Sequence, residues 1–503
     1  MRIKKAYYFT IMAVLLVATS CKKSFVHIEP KGEFLSDNYY ANQEQAFAAL
    51  VATYDVMRKN SGGFENMLAL LNAGSDDHFA GGGNATDGNQ LQVFSNYTIT
   101  PNSVAGSYWN DHYQGVFRAN VVLSKLPGVP MDDNTKARFA AEAKALRALY
   151  YFNLVRLFRN IPLLLEPLTA TNIYDVTQAK PEEVYAQIEK DLSEAAAVLP
   201  TTLSPGELGR FTKGAAKALL GKVYLYEKKN TEAAAQLAEV NGTPGGTSAY
   251  GYKLLDNFAD LWVATNKFHT ESILEVSHTN LGRSTWGNWG SASDEGNTFA
   301  QMVGPRSYQK KTPTAPDIYP AGWSFSVVTQ DLYDFLQGDP RFAATIFDAA
   351  ALKAANEIDY TEGYMNTGYF LKKYLPRASD VTTLGGNTEL NFAQNSYIIR
   401  LADTYLMEAE ALGATGPRAQ ALLDAVRARV GLSPVPVSLQ AIKNERRAEL
   451  AGEGHRWFDL VRWGDAATVL ASRGFKAGTH DILPIPSREL QGTKLIQNPG
   501  YNK

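Results

Sequence analysis

Apolar side chains at helical spacing constrain the fold of this chain more than any other feature. Between residues 139 and 157 they recur every three or four positions, at Phe139, Ala143, Leu146, Tyr150, Leu154 and Leu157. The same spacing is repeated by Val184, Ile188, Leu192, Ala195 and Leu199. A repeat of this period places the apolar side chains on one face of an α-helix. Region 41–240 is therefore predicted to be a helical scaffold.

Two shorter helices, at residues 216–226 and 231–240, are predicted to form an αα-hairpin. The turn between them spans only residues 227–230, and alanines dominate the faces that would meet. Thr231 is the predicted N-cap of the second helix, because its hydroxyl can accept a hydrogen bond from the first-turn backbone. Such hairpins are the unit of tetratricopeptide (TPR) arrays. Since the full TPR consensus is absent, we predict TPR-like units and no regular array.

Region 241–395 differs in composition and periodicity from the predicted helical sequences on either side of it. Gly and Pro become frequent, the helical period fades, and four of the seven tryptophans fall there, at Trp262, Trp286, Trp289 and Trp323. A short strand is predicted at residues 272–276 between long loops. Loops of this length are usually functional or disordered, and the tryptophan content argues against disorder. We therefore predict a loop-rich, aromatic-rich insertion in an otherwise helical domain.

Helices are predicted to return in region 396–503. Leu401, Tyr405, Ala409 and Leu412 make one apolar face, and Ala419, Leu422, Val426 and Val430 make the next. Ser438 is a predicted N-cap of a third helix. The fold class is thus mainly α, with one domain in which regions 41–240 and 396–503 form the scaffold.

The first residues have the order of a secretory signal peptide. Arg2, Lys4 and Lys5 form a positive start, and residues 9–17 form an apolar stretch shorter than the ~20 residues that span a bilayer. Small residues 18–20 then lead into Cys21, the chain's single cysteine. This order resembles a bacterial lipobox, in which the cysteine is lipidated. Residues 1–20 are predicted to be the signal peptide and 21–40 the lipidated tether; an ordinary cleavage site beside an incidental Cys21 is the alternative.

Cysteine usage and net charge exclude several classes of function. A single cysteine permits no internal disulfide and no CxxC metal or redox site. The formal net charge is −2, and removing Arg2, Lys4 and Lys5 gives −2 − 3 = −5. Since neither sign dominates strongly, nucleic acid is not an expected partner.

Several motifs, in order along the chain, resemble those of the SusD/RagB family. They are Ala141–Phe152 (AEAKALRALYYF), Gly209–Lys213 (GRFTK), Glu445–Leu450 (ERRAEL), Glu453–Gly464 (EGHRWFDLVRWG) and Leu483–Pro486 (LPIP). The resemblance implies a TPR-like fold and an outer-membrane lipoprotein that faces outward. It also implies a lid on a SusC-like TonB-dependent barrel, with glycan or peptide ligands. This chain has Lys22 and Lys23 where many members have acidic residues.

No catalytic residue, metal site or cofactor is predicted. The sequence has no Gly-x-Ser-x-Gly elbow, no HExxH pair and no EF-hand loop. A dense group of C-terminal charges has the three- and four-residue spacings of a helical salt-bridge network, and comprises Glu445, Arg446, Arg447, Glu449, Glu453, Arg456, Asp459 and Arg462. We interpret it as structural.

The aromatic loops are the predicted ligand site. A tryptophan ring offers a flat apolar partner to the C–H face of a sugar, and polar neighbours can bind the hydroxyls. The predicted ligand-binding residues in the insertion are Trp286, Asn288, Trp289, Arg306, Tyr308, Tyr319 and Trp323. The alternative for each ring is that it only pins a long loop to the scaffold.

A second polar segment is predicted to join this site. Asp76 and His78 precede Gly81–Gly83, which reads as a polar turn that opens into a flexible loop. They are predicted to touch a sugar or a cation.

The sequence thus predicts a non-enzymatic surface receptor whose loops 280–325, with loop 74–90, hold an oligosaccharide. A surface glycoside hydrolase remains an alternative, because paired carboxylates ~5–10 Å apart are set only in three dimensions. A structural lid without a ligand site is another.

Overall fold

The computed structural model describes residues 40–168, 173–291 and 293–501. The predicted signal peptide 1–20, the lipidation site Cys21 and nearly all of the tether 21–40 lie outside the described residues. Within the described ranges, no helix combines the length and the apolar character needed to cross a bilayer.

The described chain is mainly α-helical, as predicted. The α-helices are α1 (Gln43–Tyr54), α2 (Met67–Ala73), α3 (Asn89–Ser95), α4 (Ser107–Lys125), α5 (Asp133–Phe158), α6 (Pro181–Val198), α7 (Lys213–Tyr226), α8 (Asn230–Asn241), α9 (Thr298–Val303), α10 (Gln330–Leu336), α11 (Phe342–Thr345), α12 (Ala349–Ala354), α13 (Leu401–Ala411), α14 (Gly416–Arg429), α15 (Leu439–Leu450), α16 (Arg456–Trp463), α17 (Ala466–Val469) and α18 (Ser487–Leu490). Short 3₁₀ helices occupy Asp55–Asn60, Leu126–Gly128, Ile173–Asp175, Pro205–Glu207, Phe258–Trp262, Lys372–Tyr374, Ala378–Asp380, Thr388–Leu390 and Ala471–Arg473.

The long helices of the first half pack consecutively. α5 contacts both α4 and α6, α7 contacts α6, and α8 packs on α7 as the predicted αα-hairpin. The periodic face of α5 is buried, and Asp132 caps the helix by accepting the backbone N–H of Thr135 at 2.9 Å. Trp109 on α4 is 4% exposed and packs against Tyr113 and Phe158. The helical prediction for this half is confirmed.

One helix start differs from the prediction. α8 begins at Asn230, and Lys229 occupies the N-cap position without a side-chain cap. The backbone N–H of Ala233 already bonds the carbonyl of Lys229 at 2.9 Å. Because this bond starts the helix early, Thr231 lies inside the first turn, and its prediction as N-cap was wrong.

The C-terminal helices continue the array begun by the N-terminal ones. α13 packs against α8, α14 and α15, and Ser438 caps α15 by accepting the N–H of Ala441 at 3.1 Å, as predicted. Residues 396–400 are not helical, however, because they form a strand. The insertion, which lies between α8 and that strand, shares the main hydrophobic core with both helical halves.

The strands form isolated antiparallel pairs. They are β1 (His78–Gly81) with β4 (Phe325–Val328), β2 (Ser272–Val276) with β8 (Ser396–Arg400), β3 (Arg306–Lys310) with β6 (Ile358–Thr361), and β5 (Ile346–Asp348) with β7 (Tyr369–Leu371). The predicted strand 272–276 is confirmed. β1–β4 fastens the insertion to the N-terminal half, and β2–β8 joins the two ends of the insertion.

Buried ion pairs join the insertion to the C-terminal helices. Arg400 contacts Glu271 at 2.9 Å, Glu449 at 2.6 Å and Glu453 at 2.8 Å. Arg341 from the insertion reaches Glu449 at 3.0 Å. Burial alone would raise the pKa of Glu449, but the surrounding guanidinium groups outweigh it and hold that pKa well below its usual range.

The C-terminal charges are paired, as the structural interpretation predicts, but the spacing on which that prediction rested was wrong for most of them. Within the described residues, Arg462 and Asp459 are three positions apart, whereas Glu445, Arg447 and Arg456 pair with residues from distant segments.

Candidate ligand-binding site

Three tryptophans from two separate parts of the insertion meet at the surface. The ring centroids of Trp286 and Trp289 are 5.3 Å apart with planes at 88°. Trp286 and Trp323 stack at 6.1 Å with planes only 22° apart, and Trp289 lies 5.8 Å from Trp323. Trp286 is 49% exposed, while the other two rings are half-buried. We call this cluster of Trp286, Trp289 and Trp323 the tryptophan platform.

A phenylalanine from the N-terminal half supports the platform from within. Phe64 lies 6.1 Å from the ring of Trp289 and 6.2 Å from that of Trp323. Its inner edge meets Phe325 on β4 at 5.2 Å. Phe64 was missed by sequence reasoning, because it lies far from the insertion in sequence and the two segments meet only through tertiary contacts, such as the bond from the backbone N–H of Gly63 to the hydroxyl of Thr298 at 3.0 Å.

The exposed ring of Trp286 is held by a second loop. Its indole N–H donates to Oε1 of Glu389 at 3.0 Å, and its backbone N–H donates to Oδ1 of Asn387 at 3.1 Å. The indole N–H of Trp289 donates to the hydroxyl of Thr298 at 3.3 Å. These bonds fix both rings in orientation, so the platform is organised before a ligand arrives.

Trp323 is positioned by a close approach of two glycines. Its backbone N–H donates to the carbonyl of Gln301 at 3.1 Å. The preceding Gly322 packs directly on Gly304, and a Cβ at position 322 would overlap the Gly304 carbonyl. Only glycine permits this approach, and the contact sets the place from which the indole of Trp323 projects.

Asn288 shapes the loop between the first two tryptophans. Its Oδ1 accepts the backbone N–H of Thr285 at 2.6 Å, and its Nδ2 donates to the carbonyl of Arg283 at 2.9 Å. An asparagine that bonds its own loop in this way stabilises a turn. Asn288 therefore serves the geometry of the predicted site, and its amide is occupied by the protein.

A polar groove adjoins the platform at Trp289. Its cavity has a volume of about 400 Å³ and is lined by Asp55, Val56, Arg58, Lys59, Gly62, Gly63, Phe64, Glu65, Ser107, Asp111, Gln114, Trp289 and Gly290. Asp111 pairs with Lys59 at 3.0 Å, and Arg58 donates to the carbonyl of Gly290 at 2.9 Å. The groove thus offers carboxylate, amide and guanidinium groups beside an aromatic wall. Sequence reasoning missed it, because its polar residues belong to the helical scaffold.

Of three other predicted site residues, two are buried and the third is held in an ion pair. Tyr308 is buried, and its hydroxyl donates to the carbonyl of Pro316 at 2.6 Å. Tyr319 is buried against Phe392, with ring centroids 5.2 Å apart. Arg306 pairs with Asp87 at 2.7 Å and so ties loop 82–88 to β3. The two tyrosines pin loops, which is the alternative set out for them above.

Asp76 and His78, which were also predicted to contact the ligand, have largely buried side chains. Asp76 is bound by Arg456 at 2.7 Å, which helps to hold its pKa below the usual value. His78 lies on β1 and is 1% exposed, and burial lowers its pKa to about 3. A neutral, buried imidazole has no face for a ligand. The structure therefore does not bring these two residues together with the platform, because Asp76 is held by Arg456 and His78 lies on the buried strand β1.

No group of three or more His, Cys, Asp or Glu side chains is arranged to hold a metal ion within residues 40–168, 173–291 and 293–501. The groups that line the platform and the polar groove can stack on a ligand and can form hydrogen bonds with it.

The fold and the site define an α-helical scaffold protein that displays an aromatic platform from a loop-rich insertion. Residues 286–501 match the SusD family, and residues 34–225 match a family described as starch-binding associating with outer membrane. The chain belongs to the SusD family, as its motifs predict.

Individual relatives support this assignment over nearly the whole chain. A solved structure described as a laminarin binding SusD-like protein is 63% identical, covers 92% of this chain and 100% of its own, and superposes with a TM-score of 0.91. Surface glycan-binding protein A from Bacteroides thetaiotaomicron, solved in complex with laminarihexaose, is 27% identical over 91% of this chain and 100% of its own, with a TM-score of 0.80. SusD-like protein P25 of Formosa agariphila is 24% identical over 96% of this chain and 97% of its own.

Proposed function

We propose that this protein binds a laminarin-type glucan at the cell surface and does not cleave it. The observation that carries the proposal is the tryptophan platform, in which Trp286, Trp289 and Trp323 form one preorganised aromatic surface. The names of the relatives support the choice of ligand, because two of the solved structures are described with laminarin or a laminarin oligomer.

The geometry of the platform suits a curved sugar chain. Trp286 and Trp289 are nearly perpendicular, so the platform offers faces in two directions. A pyranose ring can stack its C–H face on an indole. Each Å² of apolar area that is removed from water in this way contributes ~25 cal/mol to the binding free energy. A straight sugar chain would contact only one of the two indole faces, whereas a curved chain would contact both.

The adjoining polar groove is proposed to bind the next sugar units through their hydroxyls. Asp111 and Gln114 lie about one turn apart on α4 and both line the groove. Carboxylate and amide oxygens accept hydrogen bonds from sugar hydroxyls, and the amide also donates one. Stacking would supply affinity, and these groups would supply selectivity among neutral glucans.

We also propose that the protein acts as a receptor for an importer. Lipidation at Cys21 would hold it at the outer membrane facing outward, and a SusC-like TonB-dependent barrel would receive the ligand. The family description that includes association with the outer membrane supports this location.

The proposal is tested by calorimetry with the full chain purified in detergent. Laminarihexaose is titrated against maltohexaose and a mixed peptide digest, and each incubated sample is assayed for new reducing ends. Binding of laminarihexaose without product is the expected result. Product release would establish a hydrolase instead, and binding of peptide or maltohexaose alone would overturn the assigned ligand.

A further inference from the structure

A second groove lies in the insertion, and no residue of the tryptophan platform lines it. Its volume is about 600 Å³, larger than the polar groove beside Trp289. It is lined by Asn257, Phe258, Ala259, Trp262, Pro316, Asp317, Ile318, Pro340, Ala343, Ala344, Lys372, Leu375, Arg377 and Ser379. Four separate chain segments therefore build it, and its shape is set by the fold rather than by one loop.

One wall of this second groove is aromatic and is held in place by its neighbours. Trp262 is half-buried and meets Tyr374 at 5.5 Å and Tyr397 at 5.7 Å, both edge to face. Phe258 lies 6.1 Å from the ring of Trp262. The ammonium of Lys373 lies over the same ring, 4.7 Å from its centroid. Because these neighbours hold the indole in place, the part of it that lines the groove is a rigid surface against which a ring-shaped ligand can pack at low entropic cost.

Two cations on the rim have no counter-ion within the described part of the chain. Lys372 and Arg377 are exposed and line the groove, and neither is in an ion pair there. The ammonium of Lys372 instead donates to the carbonyl of Ala343 at 2.7 Å, which fixes it against the wall. Partial burial lowers the pKa of Lys372, and the nearby charge of Arg377 lowers it further.

Lys373, which follows Lys372 in the sequence, is a cation whose charge is neutralised by an ion pair. Lys373 is buried and pairs with Glu453 at 2.8 Å. Lys372 and Arg377 lack such a partner although each feels the charge of the other. Two neighbouring like charges without a counter-ion attract an anion, because its binding relieves their repulsion.

We propose that this second groove binds an acidic sugar unit, with Lys372 and Arg377 on its carboxylate or sulfate group and Trp262 beside its ring. One further polar group of the lining can accept a hydrogen bond from a hydroxyl of such a unit. Asp317 accepts the backbone N–H of Ser379 at 3.3 Å, which leaves its other carboxylate oxygen for a hydroxyl. This site is independent of the neutral glucan proposed for the platform.

The test uses the full chain in detergent and two defined anionic probes. Tetragalacturonate carries carboxylates, and a sulfated galactan tetrasaccharide carries sulfates, so their separate titrations show which anion is preferred. The variant Lys372→Gln/Arg377→Gln removes both rim charges. Its matched control, Lys125→Gln/Arg488→Gln, removes one lysine and one arginine that are exposed and line neither groove.

The proposal expects at least one anionic probe to bind the unaltered protein and to bind the rim variant about tenfold more weakly. The control variant should bind the probe normally. Laminarihexaose binding and the melting temperature should be the same in all three proteins, and the unchanged melting temperature shows that the rim variant is folded. The proposal is overturned if neither probe binds, if the rim and control variants lose affinity equally, or if Trp286→Ala/Trp289→Ala removes the binding of the anionic probe.

Discussion

The indole rings of Trp286 and Trp323 stack with planes 22° apart and centroids separated by 6.1 Å. One ring stands on a loop that follows β2, and the other stands just before β4, so neither loop alone makes the surface. Glu389 comes from a third segment and binds the indole N–H of Trp286. The proposed ligand surface is thus a joint property of three loops that the helical scaffold brings together.

The bond between Glu389 and Trp286 predicts an indirect effect on binding. Glu389→Ala removes the acceptor of the indole N–H, so Trp286 gains rotational freedom that a ligand must then restrict. We expect laminarihexaose affinity to fall about threefold with little change in thermal stability, since hydrogen bonds to charged groups are worth ~1.5–3 kcal/mol and part of this is recovered from water. Calorimetry and melting curves measure the two effects. A Glu389→Gln variant, which keeps an acceptor, should bind nearly as the unaltered protein does.

The buried ion network predicts a large loss of stability when its central cation is removed. Arg400 is 1% exposed and contacts Glu271, Glu449 and Glu453. Arg400→Met leaves these carboxylates with fewer partners, and breaking a buried pair costs ~3–5 kcal/mol. Urea denaturation should show a loss of this order.

An exposed arginine supplies the control for the network. The side chain of Arg283 is 64% exposed and lies 3.5 Å from Glu295, and surface pairs contribute ~0–1 kcal/mol. Arg283→Met should therefore change the free energy of unfolding by less than ~1 kcal/mol. Equal losses in the two variants would contradict the structural role of the network.

Burial of Glu275 predicts a dependence of stability on pH. Desolvation raises the pKa of Glu275 to about 7, from 4.5. Between these values the folded state keeps a proton that the unfolded state has released, so stability falls as pH rises from about 4.5 to about 7. Glu275→Gln mimics the protonated form and should remove this fall. We expect the variant to match the unaltered protein near pH 5 and to exceed it by ~2 kcal/mol near pH 8.

Urea denaturation at the two pH values measures this difference. Glu44→Gln, which changes an exposed carboxylate on α1, is the matched control. Its difference in stability from the unaltered protein should be the same at both pH values. A Glu275→Gln variant whose difference from the unaltered protein is the same at both pH values would contradict the account.

The sequence predicts the helical array well, because helical periodicity is a local signal. The faces of α5, α6 and α13 are marked by spacing alone, and their burial follows from it. The strand at 396–400 was missed because its partner, β2, is remote in sequence. Pairing between distant segments leaves no spacing pattern to read.

The candidate site was predictable in part. Three tryptophans on long loops indicated an aromatic surface, and the structure brings them together. Phe64 and the polar groove could not be predicted, since their side chains come from the scaffold. His78 and Tyr308 have the composition of ligand-binding residues, yet strand pairing and loop packing bury them. Burial of this kind depends on tertiary contacts, which residue type does not report.

The central claim is that the tryptophan platform binds the glucan, and a calorimetric titration with laminarihexaose tests it most directly. The proteins compared are the unaltered chain, Trp286→Ala/Trp289→Ala, and Tyr174→Ala, which removes an exposed aromatic ring that lines neither groove. Truncating central aromatic contacts costs more than ~1–2 kcal/mol each, so the double variant should bind at least about tenfold more weakly. The Tyr174 variant should bind normally. Unchanged affinity in the double variant, with its melting temperature preserved, would contradict the account.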